Sequence, residues 1–135
     1  MHRYDPGTPV LSIPTGLQRR AIQEERKPYL FSEAEVERLF EAARTFPSST
    51  APLRPTALVA MLTLAYCAGL RVGEIASLTL ADLDLEGGPI EIRDTKLFKS
   101  RRLPLTPGVL AGVSHYLLAR AAAGAPTGPD APLWW

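Results

Sequence analysis

The sequence predicts an α+β fold, mainly α-helical with a small three-stranded antiparallel sheet, and three observations carry that expectation. Apolar residues recur at helical spacing in three stretches, near 31–44, 55–68 and 107–122. Between the second and third stretch the period drops to two, because "DLDLEGGPIEIRDTKLFKSRRLPLT" alternates apolar and polar residues around two turn signals. A length of 135 residues with 46% hydrophobic content suits one domain with a real core and is short for two.

The first 28 residues hold Pro9, Pro14, Pro28, Gly7 and Gly16 without a sustained period, and read as an extended arm or linker; residues 29–135 read as the domain. In "FSEAEVERLFEAAR" (31–44), Ser32 and Glu35 form a capping box and Phe31 is placed as a staple, with Val36, Leu39, Phe40 and Ala43 as the buried stripe. "TFPSSTAPLRP" is a loop, and Pro55 falls in the first turn of a helix over about 55–68 that is apolar around most of its circumference, the mark of a core element. Gly69 stops it. A short segment over about 71–78 places Val72, Ile75 and Ala76 on one face and Arg71 with Glu74 on another.

Strands are expected near 82–86, 89–95 and 100–105, with Gly87-Gly88 and residues 96–99 as turns, Ile90 and Ile92 on one face and Glu91 and Arg93 on the other. Val109, Leu110, Val113, Tyr116 and Leu117 then form the stripe of a helix from Pro107 to about 122. "AAGAPTGPDAPLWW" ends the chain as a Pro/Gly loop with two tryptophans.

Composition narrows the function classes. Cys67 is the single cysteine, so an intrachain disulfide is impossible, and its place in "ALVAMLTLAYCAG" predicts a small core hydrophobe. No apolar run reaches the roughly 20 residues of a spanning helix, and the N-terminus has no signal-peptide core, so a cytoplasmic protein without membrane contact is expected. The net charge is only +1, but residues 93–102, "RDTKLFKSRR", carry five basic residues against one acid. Such a run serves either a solvated hairpin or a polyanion.

Arg71 is the anomaly. In "AGLRVGEIASLTLADLD" it opens a helix, where the helix dipole favours acids. An arginine there is either a surface residue paired with Glu74 or a cation held for an external anion.

The order of the pieces, a capped helix, a buried helix, "GLRVGE", a small sheet and "TKLFKSRRLPL", resembles the N-terminal half of the catalytic domain of the tyrosine site-specific recombinases, the phage integrase family. The resemblance runs from about Pro28 to the end of the chain, and residues 1–28 resemble the arm entering from a DNA-embracing domain. In this family a tyrosine hydroxyl attacks a backbone phosphate of double-stranded DNA and leaves a 5′-hydroxyl; no metal and no organic cofactor takes part. Carried over by position, Arg71 is the first catalytic arginine on the scissile phosphate, and its planar, permanently charged fork suits oxygens that gain charge in the transition state. Lys96 is the hairpin lysine that protonates the leaving oxygen, with Lys99 as its rival, and Arg93, Lys99, Arg101 and Arg102 as cations able to lower its pKa. The same carry-over makes Lys99, Arg101 and Arg102 DNA phosphate contacts and Glu74 a supporting residue.

The family's later His-x-x-Arg box and nucleophilic tyrosine have no counterpart here: neither His2 nor His115 has an arginine three residues on, and Tyr116 belongs to an apolar stripe. The resemblance therefore implies a catalytic domain cut near its middle, inactive alone, with the apolar faces of the helices at 57–68 and 109–122 partly uncovered so that it aggregates or forms oligomers in isolation; the partners it implies are double-stranded DNA and other recombinase subunits. Two other readings stay open, a non-catalytic DNA-binding regulator that competes at recombinase sites, and a protein-interaction remnant.

Overall fold

The computed structural model describes residues 28–94 and 99–135, and the chain divides into two units, 1–31 and 32–135. The expected arm lies outside the described residues except for Pro28. In what is described of the first unit, the rings of Tyr29 and Phe31 meet edge to face with centroids 5.0 Å apart.

The second unit contains four α-helices, a 3-10 turn and a hairpin among its described residues. Helix α1, Glu33–Arg44, begins at Ser32 with the anticipated box: Ser32 N–H donates to Glu35 Oε2 (2.8 Å) and Glu35 N–H to Ser32 Oγ (3.3 Å). Two of the four orphan amides of a helix start are thus satisfied. Its stripe is shallower than expected, because Ala43 alone of the four residues is fully buried and Leu39 is exposed. Helix α2, Arg54–Cys67, follows with Pro55 in its first turn, and buries Ala57, Ala60 and Leu64 between α1 and α4. Cys67 departs from expectation and is exposed. It is the last residue of α2.

Gly69 takes φ +68°, a left-handed conformation that costs a side-chain-bearing residue energy, and Leu70 N–H turns back to the Leu64 carbonyl (3.3 Å). This reversal launches α3, Val72–Ala76, a single turn with Arg71 as its N-cap. Ile75 is its buried residue, whereas Val72, expected beside Ile75, is 82% exposed. One turn of helix has too little length to carry a full apolar stripe.

Among the described residues the sheet has two strands, not three: β1, Ile90–Asp94, pairs antiparallel with β2, Lys99–Leu103. The expected strand at 82–86 is replaced by a 3-10 turn over Leu80–Asp82 and a single bridge, Leu83 to Ile90. Asp84 explains the interruption. Its Oδ1 accepts from Glu86 N–H (3.1 Å), folding the chain into a local turn, and it lies so close to Gly88 that a Cβ there would overlap its carboxylate. Ile90 and Ile92 face the core, as the alternation required.

Helix α4, Pro107–Ala122, is capped by Thr106 Oγ1 and buries Val109, Val113 and Tyr116 in the cluster shared with Ala60, Leu64, Ile75 and Ile92. The terminal loop is part of this core. Leu133 is fully buried, its N–H donates to the Leu78 carbonyl (2.9 Å), and Thr79 bridges to Pro132.

Candidate nucleic-acid interface

Arg71 sits where two local devices converge, the left-handed turn at Gly69 and the start of α3. Its backbone is extended (φ −76°, ψ 151°), its N–H donates to Glu74 Oε2 (2.9 Å), and its carbonyl accepts from Ile75 N–H (2.9 Å). An acid at the third helical position thus satisfies one orphan amide and offsets the cation at the dipole's positive end.

Of the two readings of Arg71, the side-chain pairing with Glu74 is the one that does not form. Glu74 Oε2 meets the Arg71 backbone and the Arg101 guanidinium (Nη2, 3.0 Å). The Arg71 side chain is exposed, and among the described residues none hydrogen-bonds or ion-pairs with its guanidinium. Arg101 wins the carboxylate because of register. It stands opposite buried Ile92, on the face of the hairpin that packs toward α3, while Arg93 and Ser100 form the next rung on the opposite face.

The remaining candidates divide. Lys99 and Arg102 are exposed on β2; Arg102 stands opposite Glu91 and lines a shallow cleft with Asp82, Asp84 and Glu91, so acids surround it on that side. Lys96 lies outside the described residues. Tyr116 is fully buried, its hydroxyl donating to the Leu133 carbonyl (3.0 Å) and accepting from Trp135 N–H (3.0 Å). A hydroxyl occupied on both sides in the core is a structural group, as the apolar stripe implied.

Three contributors escaped the sequence reading. Asp82 is buried: its Oδ2 accepts from Thr79 N–H (2.9 Å) and Oγ1 (3.0 Å), and its Oδ1 lies 3.0 Å from Arg93 Nη2 as an ion pair without an aligned hydrogen bond. The spacing Thr79-x-x-Asp82 is a capping signature and could have announced it. Arg120, also buried, donates to the carbonyls of Leu133 (3.0 Å), Pro126 (2.6 Å) and Pro132 (2.9 Å). Trp134 Nε1–H donates to the Ile75 carbonyl (2.6 Å), so the loop that Arg120 gathers buttresses the far end of the helix that Arg71 begins.

The chain is similar to known proteins in sequence and in fold. The family model described as Phage integrase family matches residues 30–127. The chain is 43% identical over 109 residues to protein y4gA of Sinorhizobium fredii, covering 81% of this chain and 58% of that protein. It is 36% identical over 96 residues to the integrase/recombinase-type protein y4rB of the same organism, covering 70% and 31%. Tyrosine recombinase XerC of Escherichia coli is 41% identical over 58 residues, 43% of this chain and 19% of that one. A crystal structure of XerA recombinase superposes with a TM-score of 0.62 at 27% identity, over 84% of this chain and 37% of that chain. The chain thus spans between about a third and three fifths of y4rB and y4gA. With a family match over most of its length and a recombinase fold around the segment that begins at Arg71, the chain belongs to the phage integrase family of tyrosine recombinases.

Proposed function

We propose that this chain supplies the first phosphate-gripping arginine and the basic hairpin of a site-specific DNA recombinase, Arg71 holding non-bridging oxygens of the scissile phosphate and Lys96 serving the leaving 5′-oxygen. The observation that supports the reading is the state of Arg71. Its backbone is fixed by Glu74 while its guanidinium has no partner among the described residues, the arrangement of a cation positioned for an external anion. Lys99 and Arg102 are the hairpin's outward phosphate contacts. The substrate is duplex DNA, and further recombinase subunits are the natural partners. The chain's sequence contains no His-x-x-Arg box and Tyr116 is locked in the core, so strand transfer needs residues supplied by a complementary segment.

Fluorescence anisotropy with a short random-sequence duplex tests the reading. Phosphate contacts impose a linear fall of log K with log salt, about 0.9 per phosphate. Arg71→Ala should lower that slope by about one and weaken binding similarly on all sequences. The chain should form no covalent adduct with DNA. A salt-independent interaction, or no binding at low salt, would overturn the reading.

A further inference from the structure

We propose that Glu74 and Asp82 form a two-sided carboxylate clamp that sets the pose of the β1–β2 hairpin against the Arg71 helix, with Arg101 and Arg93 as positioning residues and not as contacts to DNA. The proposal rests on the recombinase reading for its use, and on geometry for its existence.

Adjacent rungs of the hairpin point their side chains to opposite faces. Arg101, in the Ile92 rung, reaches Glu74 on α3; Arg93, in the Ser100 rung, reaches Asp82 at the end of the 3-10 turn. The hairpin is therefore held once on each strand and once on each face, by two acids that flank the same short stretch of chain. Both acids are themselves fixed. Glu74 also caps α3 through Arg71 N–H, and Asp82 is bound twice by Thr79. Both are shielded, with side-chain exposures of 15% for Glu74 and 4% for Asp82, whereas Arg101 and Arg93 are 48% and 59% exposed. Immobile acids gripping long, half-exposed arginine stems make a joint that resists both sliding and twisting of a two-stranded ribbon, which alone is marginally stable. Because Glu74 accepts from Arg71 N–H and from Arg101 at one oxygen, a displacement of the hairpin is felt at the arginine that opens α3.

The test uses the whole chain in two arms. In native-state hydrogen exchange, Arg93→Gln and Arg101→Gln should each speed exchange of amides in Ile90–Arg93 and Lys99–Leu103 on the order of tenfold, leaving α2 and α4 unchanged, with Arg93→Lys restoring protection. Equal acceleration everywhere would reduce the pairs to general stability, and no acceleration would remove the clamp. In duplex binding, a double-mutant cycle of Arg71→Ala with Arg93→Gln should be non-additive, because Arg71 loses its advantage once the hairpin is released. Strict additivity would make Arg93 an independent contact and overturn the positioning role. If the parent chain does not bind duplex at all, the recombinase reading fails and the exchange arm alone decides the clamp.

Discussion

Replacing Arg120 by Met keeps a long unbranched stem in the core and deletes the guanidinium. Three donor–acceptor pairs vanish, at 3.0, 2.6 and 2.9 Å, all to carbonyls of the terminal loop. A hydrogen bond with a charged partner contributes about 1.5–3 kcal/mol, giving a gross loss of roughly 5–9 kcal/mol. Two effects offset it. Removing a buried cation recovers several kcal/mol of desolvation, and the Leu133 carbonyl keeps the Tyr116 hydroxyl as donor. A net loss of about 2–4 kcal/mol remains, a large share of the 5–15 kcal/mol that holds a domain together. At roughly 3–5 °C per kcal/mol for a chain of this size, the midpoint should fall by about 6–20 °C. Both tryptophans, Trp134 and Trp135, lie in the loop that Arg120 gathers, so intrinsic fluorescence reports its release directly. An unchanged midpoint in Arg120→Met would refute the claim that carbonyl capture by Arg120 folds the loop onto α3.

Further outcomes follow from the same structure. Tyr116→Phe should destabilise the fold by about 1 kcal/mol in urea titration, since one neutral hydrogen bond is lost and a second group is left without its acceptor. Gly69→Ala should cost about 1–2 kcal/mol through its φ of +68° and not through crowding, because nothing lies within 4 Å of the added carbon. Gly88→Ala should displace the Asp84 side chain, read as altered exchange at the Glu86 amide that Asp84 holds. Cys67 should react with a thiol reagent in the native state at a rate close to that of the unfolded chain, as its exposure requires.

What the sequence disclosed was what short-range chemistry controls. The Ser32–Glu35 box, Pro55 in a first turn, the stop at Gly69, the Ile90/Ile92 face and the α4 stripe are local patterns, and each appears in the fold. The missing first strand follows from Asp84, whose side chain competes with the ladder for backbone amides, a contest that alternation does not register. Cys67 and Val72 were misplaced because an apolar pattern reports a preference for burial, and tertiary packing decides which residues obtain it. At the site, Arg71 stood out by its conflict with the helix dipole. The partner of Glu74 did not, since Arg101 lies 27 residues away and reaches it only through strand register. Arg120 was hidden for a related reason: a cation on an apolar helix face reads as a surface residue until a loop wraps its carbonyls around it. The role of Lys96 rests on the family resemblance alone.

The most direct measurement of the central claim joins this chain to the complementary C-terminal segment of a relative and follows covalent adduct formation on a nicked duplex that traps the tyrosyl intermediate. Arg71→Lys in that fusion should keep duplex binding within a few-fold and lower the rate of adduct formation by about 100- to 1,000-fold, since an ammonium cannot reproduce a planar fork on two phosphate oxygens. Adduct formation by Arg71→Lys at the rate of the unaltered fusion would contradict the assignment of Arg71 to the scissile phosphate.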